Sequence, residues 1–136
     1  MEKKIDFTKY TEFVDAVTSD ASKNFSSLSD RMAVLDSEGA SIERLLTAGV
    51  GINAEGGEFL EIIKKMMFQG KPWNEDNKTH LKIELGDIMW YVAQACIALD
   101  ITMDEVVAIN VNKLMKRYPG GYFDPYYSEN RKVGDL

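Results

Sequence analysis

The sequence predicts an all-α fold, an antiparallel bundle of four to five helices. The chain contains only three prolines, and its apolar residues recur mostly at helical spacing, with few of the strict alternations that indicate strands. The 136 residues fit a single domain over 1–136. At 45% hydrophobic and 28% charged residues, the composition is that of a globular chain with enough apolar material for a small core.

The first helix is predicted from about Phe7 to Val17, because apolar residues return there every three or four positions. The next segment, 19–40, is rich in serine and is expected to be a mobile connection that contains at most a short helix. The apolar residues that could anchor this short helix are Leu28, Met32, Val34 and Leu35.

A long second helix is predicted from an N-cap at Ser41 to about Phe68. Gly51, Gly56 and Gly57 weaken it, since each costs about 1 kcal/mol relative to alanine in a helix interior. Close packing against another helix would explain the three glycines, and a local break near Gly51 is the alternative.

Gly70 is expected to end the second helix, and a third helix is predicted over about 76–99. The fourth helix has the clearest start. Thr102 can accept a hydrogen bond from the Glu105 amide while the Glu105 side chain reaches back, which is a capping box. The Pro-Gly-Gly sequence at 119–121 ends this helix, and an aromatic and then polar tail is expected to follow.

The charge balance restricts the ligands that the chain can bind. With 16 basic and 22 acidic residues the net charge is −6, so direct nucleic-acid binding through a basic stripe is not expected. A polyanionic ligand would need a metal ion as mediator. Neither a signal peptide nor a membrane span is expected, and the lone Cys96 fits a reducing cytoplasm.

Two acidic pairs, Glu55 with Glu58 and Glu84 with Asp87, carry the main functional signal. The members of each pair point about 60° apart on their helix and lie on or beside its apolar stripe. Since an unpaired buried carboxylate costs several kcal/mol, the four predict a hard divalent cation, Mg²⁺ or Mn²⁺. Two solvated faces are the alternative. Glu61 could be a further ligand, a base that orients water, or a surface residue.

A second group lies on the fourth helix, where Asn110, Lys113 and Arg117 form a row at i, i+3 and i+7. Lysine as a point charge and arginine as a fork both suit phosphate oxygens. Salt bridges to acids of neighbouring helices are the alternative. Trp73 and Tyr91 are candidates for stacking on a nucleotide base.

Three stretches together resemble the MazG-like, all-α nucleoside triphosphate pyrophosphohydrolases. They are Gly-Ile-Asn-Ala-Glu-Gly-Gly-Glu at 51–58, Glu-Leu-Gly-Asp followed by Ile-Met-Trp-Tyr at 84–91, and the stretch 110–119. The family pattern is Glu-x-x-Glu, a spacer, and Glu-x-x-Asp, and the resemblance covers roughly 45–122. Ala54 departs from members that carry an extra glutamate before the first motif, which bears on how many metal ions are held.

The resemblance implies Mg²⁺-dependent hydrolysis of (deoxy)nucleoside triphosphates to the monophosphate and pyrophosphate. A metal-activated water would attack the α-phosphorus, with Glu58 or Glu61 accepting the proton. It further implies a homodimer or dimer of dimers. The implied metal ligands are Glu55, Glu58, Glu84 and Asp87, and the residues implied to hold phosphate or sugar are Asn110, Lys113 and Arg117.

Two other interpretations of the sequence stay open. On the same fold, the substrate could be an alarmone-type nucleotide or a phosphoribosyl nucleotide. Alternatively, the chain could be a non-catalytic helical dimerisation module whose acids only make interchain salt bridges. Metal-dependent release of pyrophosphate distinguishes the two classes.

Overall fold

The computed structural model of the protein describes residues 3–135, which contain seven α-helices and no strand. The predicted all-α fold is confirmed. Five of the helices have ten residues or more, and two are short. They are α1 (Phe7–Ala16), α2 (Asp20–Lys23), α3 (Phe25–Ser37), α4 (Ile42–Phe68), α5 (Glu75–Leu99), α6 (Met103–Arg117) and α7 (Pro125–Glu129).

The described residues form two compact units, one up to Ile42 and one from Glu43 onward. The single domain expected from the chain length stays a prediction, because separate contact clusters can belong to one domain. None of the helices within residues 3–135 combines the length and the apolar character that crossing a membrane requires.

The first unit is more helical than the sequence predicts. Asp6 caps α1 by accepting hydrogen bonds from the amides of Thr8 and Lys9 at 3.1 and 3.2 Å. In place of a mobile connection, α2 and α3 pack against each other. Asn24 caps α3 by accepting from the Ser27 amide at 3.1 Å, a local polar contact that offsets the low helix propensity of the serines.

In the second unit, α4 is one continuous helix, so the alternative of a local break near Gly51 is wrong. Gly51 is buried, and a Cβ atom there would overlap the ring of Tyr91. Close packing therefore explains this glycine, whereas Gly56 and Gly57 have open space beside them. The helix ends as predicted, since Gly70 has φ 73° and the next amide closes a Schellman bond to the Lys65 carbonyl.

The helices α4 and α5 run antiparallel, as three contacts at descending positions of α5 show. Arg44 donates to the Gln94 side chain at 2.6 Å, Gly51 faces Tyr91, and the carboxylates of Glu55 and Glu84 meet further along. The loop 69–74 between the helices is anchored by Asn77, whose buried side chain donates to the Pro72 carbonyl at 2.7 Å. Among the described residues, the buried apolar side chains are Ala48, Ile62 and Cys96.

The capping box predicted for α6 is present in its first half, because Thr102 Oγ1 accepts from the Glu105 amide at 3.2 Å. The aromatic and then polar tail contains an element that the sequence analysis did not predict. It contains α7, which starts at Pro125 and is capped by Asp124. Beyond α7 the chain returns to α6, where Arg117 binds Asp135.

Candidate functional site

Three glutamates of the two acidic motifs converge between α4 and α5. Glu55 and Glu58 lie one helical turn apart on α4, and Glu84 faces them from α5. One carboxylate oxygen from each lies within 4.8 Å of the other two. Asp87 is exposed and outside this group. We call Glu55, Glu58 and Glu84 the carboxylate cluster.

Glu84 is the most confined member of the cluster. It is only 4% exposed, and its Oε1 lies 3.1 Å from Nε2 of His80. Its other oxygen, Oε2, is buried and has no hydrogen-bond partner within residues 3–135. A buried carboxylate oxygen without a donor is costly, and a cation among the three carboxylates would remove that cost.

The electrostatics of the cluster agree with its geometry. The pKa of Glu55 is raised above the ordinary 4.5, mainly by loss of hydration, and then by the charge of Glu58 and a hydrogen bond with Glu84. The charge of Asp87 raises the same pKa, so this fourth acid acts on the cluster without joining it. Three glutamates that meet in this way form an all-oxygen donor set suited to a hard divalent cation.

Glu61 is placed differently from the cluster. Its carboxylate lies 3.1 Å from the ammonium group of Lys65, one turn further along α4. The pKa of Glu61 is lowered by this hydrogen bond and charge. A carboxylate held in its ionised form by a lysine is a weaker proton acceptor than one free of such a partner.

The predicted phosphate row lies on α6, and no hydrogen bond or ion pair within residues 3–135 joins it to the carboxylate cluster. Arg117 donates through Nε and Nη2 to the two carboxylate oxygens of Asp135, at 2.7 and 2.6 Å. Arg117 and Lys113 line a cavity of about 640 Å³ between α6 and the C-terminal segment. Asn110 is exposed and does not line that cavity.

The two aromatic candidates for base stacking occupy unlike places. Trp73 lies in the loop before α5, is 68% exposed, and has the Lys78 ammonium 5.3 Å from its ring centroid. Tyr91 is half-buried against Gly51 and meets Trp90 edge to face, with centroids 4.9 Å apart. Trp73 is thus accessible to a ligand, whereas one face of the Tyr91 ring packs against α4.

Sequence reasoning missed three residues of the C-terminal segment that belong to the cavity beside α6. Arg131, Lys132 and Asp135 line it together with Lys113 and Arg117. The only signal in the sequence was an adjacent Arg-Lys pair in a polar tail, which by itself is typical of a solvated end.

In α4 and α5, three carboxylates meet, and within residues 3–135 His80 is the one basic side chain in contact with them. This arrangement defines a class, an α-helical protein with a candidate divalent-metal site. Residues 45–122 match the family model of the MazG nucleotide pyrophosphohydrolase domain. The match covers more than half of the chain, and the protein belongs to this family. It is therefore an enzyme, a nucleoside triphosphate pyrophosphohydrolase of a metal-dependent family, and the non-catalytic interpretation is set aside.

The chain also resembles a curated protein. Over 82 residues the chain is 38% identical to "Gene 37 protein" of Mycobacterium phage L5. The matched residues make up 60% of this chain and 72% of the relative. That name gives no activity. No solved structure matches the chain.

Proposed function

We propose that the protein hydrolyses (deoxy)nucleoside triphosphates to the monophosphate and pyrophosphate in a Mg²⁺-dependent reaction, with Mn²⁺ as a possible substitute. The observation that carries this proposal is the carboxylate of Glu84, which meets those of Glu55 and Glu58 and whose buried Oε2 has no hydrogen-bond partner within residues 3–135. Membership of the pyrophosphohydrolase family supports the reaction class. The reaction would run through attack of water on the α-phosphorus.

The metal would be held by Glu55, Glu58 and Glu84, with Asp87 completing the set from the next turn of α5. When bound, the ion supplies charge neutralisation for phosphate oxygens and a more acidic water. Glu58 is preferred over Glu61 as the residue that accepts the water proton. Glu58 belongs to the cluster, whereas Glu61 is paired with a lysine.

The remaining substrate contacts would come from α6 and from aromatic side chains. Lys113 and Arg117 would stabilise the charge that develops on the pyrophosphate leaving group, and Asn110 would bind phosphate or sugar oxygens. Trp73, exposed in its loop, is better placed than Tyr91 to stack on the base. These roles follow the family resemblance and the chemistry of each side chain.

A panel of deoxynucleoside and nucleoside triphosphates, each with Mg²⁺ or with EDTA, tests the proposal through pyrophosphate release. We expect release with Mg²⁺ only, and a loss of more than about 100-fold in Glu84→Gln, beyond the usual cost of losing an outer-shell partner. Glu12→Gln, the same change at an exposed position of α1, is the matched control. Alarmone-type and phosphoribosyl nucleotides in the panel test the alternative substrates.

Thermal unfolding provides a readout that is independent of turnover. Mg²⁺ should raise the melting temperature of the wild-type protein and of Glu12→Gln but not that of Glu84→Gln, because a ligand that binds only the folded state stabilises it. If Mg²⁺ has no effect on the melting temperature and no substrate releases pyrophosphate, the proposal is wrong. If Glu61→Gln loses as much activity as Glu58→Gln, the choice of proton acceptor is wrong.

We also propose that the enzyme is a homodimer or homotetramer. Large apolar side chains on α4 and α5 are left open to solvent, and a surface of this kind marks a protein interface. Sedimentation equilibrium should give a multiple of 15.3 kDa, and Trp90→Lys should lower it while Trp73→Lys should not. The exposed side chains are Leu46, Val50, Leu60, Met67, Phe68, Ile83, Leu85, Met89, Trp90, Ile97 and Leu99.

A further inference from the structure

The cavity between α6 and the C-terminal segment concentrates positive charge on an acidic protein. Its volume of about 640 Å³ is that of a small-molecule site. Five cationic side chains line it, and within residues 3–135 Asp135 is the single carboxylate among the lining residues. The cations are Lys113, Lys116, Arg117, Arg131 and Lys132.

The two sides of the cavity come from two segments that are separated in the sequence. Lys113, Lys116 and Arg117 lie on α6, and Arg131 and Lys132 follow α7. The C-terminal pair lies beyond residues 45–122, the part that matches the family model. Like charges brought together in this way repel one another, so a bound anion would stabilise the arrangement.

Asp135 supplies one negatively charged group at this place from within the chain. Its two oxygens accept from two nitrogens of Arg117 in the parallel geometry of a fork, and the two side chains are only 14% and 10% exposed. A phosphate group presents paired oxygens to a guanidinium in the same way. The bidentate contact therefore occupies the position that a phosphate would take on Arg117.

We propose that Asp135 is an internal occupant of Arg117 that an oligophosphate anion displaces. Arg131 and Lys132 then extend the phosphate row of α6 into the site for this anion. The compact, multiply charged anion favoured by five converging cations is inorganic pyrophosphate or the equivalent part of a nucleotide. The choice of pyrophosphate rests on the proposed function, which releases it. The carboxylate of Asp135 sets the threshold for binding, because the anion must compete with it.

Calorimetric titration with inorganic pyrophosphate in EDTA, at fixed ionic strength, tests the internal occupant. Asp135→Asn removes the competing charge and should bind pyrophosphate at least about tenfold more tightly than the wild type, as loss of one charge-assisted contact allows. Glu129→Gln is the matched control. It neutralises an exposed acid of α7 that does not line the cavity, and its affinity should stay within about twofold of the wild type.

The contribution of the cations is tested by removing two of them, which should weaken the binding of pyrophosphate. The double variant Arg131→Gln, Lys132→Gln should weaken pyrophosphate binding by about tenfold or more. The double variant Lys4→Gln, Lys9→Gln removes the same charge from exposed positions of the first unit and should leave it nearly unchanged. This arm stays decisive if Asp135→Asn fails to fold, which circular dichroism reports.

Two outcomes would overturn the proposal. One is equal affinity in Asp135→Asn and Glu129→Gln together with equal affinity in the two cation variants. The other is binding of a nucleoside monophosphate as tight as that of pyrophosphate, which would show that a second phosphate is not recognised. Because the titration contains no nucleotide and no divalent metal, a failure of metal-dependent hydrolysis leaves its result unaffected.

Discussion

Gly51→Ala is expected to destabilise the protein, although alanine is the better helix former. In an open helical position this change gains about 1 kcal/mol. At Gly51 the new Cβ would overlap the Tyr91 ring, and overpacking of this kind costs about 1–3 kcal/mol. A rigid ring against a helix backbone cannot move aside as the end of a flexible side chain could, so we expect the upper part of that range.

Gly57→Ala is the matched control, because Gly57 lies on the same helix with open space beside it. The helix-propensity gain is shared, so the difference between the two variants isolates the packing cost. That difference should approach about 3 kcal/mol, or roughly 10 °C in melting temperature for a chain of this size. Urea denaturation gives the free energies, and thermal unfolding gives the shift.

A double-mutant cycle then tests whether Tyr91 is the cause. In a Tyr91→Leu background the ring is absent, so Gly51→Ala should cost at least about 1 kcal/mol less than in the wild type. If Gly51→Ala is as stable as Gly57→Ala, the inference that α4 and α5 are tightly packed at Gly51 is wrong. If the cost is unchanged without the ring, another contact is responsible.

Three further predictions concern a helix cap and two titrating acids. Thr102→Ala should lower the free energy of unfolding by about 1 kcal/mol because it removes the acceptor for the Glu105 amide, and Thr102→Ser should restore it in urea titrations. Arg117 holds the pKa of Asp135 below the ordinary 3.8, so this contribution to stability is full above that pH and is lost as the pH falls through the lowered pKa. Melting temperatures of wild type and Asp135→Asn should therefore converge in acid, and parallel curves would contradict this. The raised pKa of Glu55 has the opposite sign, so without metal its stability contribution should fall as pH rises above 4.5, and Glu55→Gln should lessen that slope in EDTA.

Local signals explain why much of the helix arrangement could be predicted. The start of α6 depends on the side chain of Thr102 and an amide three residues away, and the end of α4 depends on Gly70. Both are contacts between near neighbours, which a sequence displays directly. The α3 helix was underestimated because its serines lower helix propensity, while its cap at Asn24 and its packing against α2 offset that loss.

The site was predictable only up to the geometry of single helices. Spacing places Glu55 and Glu58 on one face of α4, but which acid of α5 meets them depends on the rotation and register of the two helices. The contact between Gly51 and Tyr91 contributes to that register, and in it Glu84 turns inward while Asp87 stays exposed.

Contacts between distant parts of the chain could not be predicted from spacing. Arg117 and Asp135 lie 18 residues apart, and a return of the chain past α7 brings them together. The same return places Arg131 and Lys132 beside α6. An Arg-Lys pair near a chain end carries no local sign of such a partner.

The carboxylate cluster is formed within one helical hairpin, since all three of its glutamates come from α4 and α5 of the same chain. Capture of the metal by these three residues therefore requires no second subunit, and its affinity should not change when the protein is diluted. An enzyme built this way can hold its ion through cycles of dissociation and reassembly. If the subunits of the proposed oligomer exchange, the metal site would therefore stay filled.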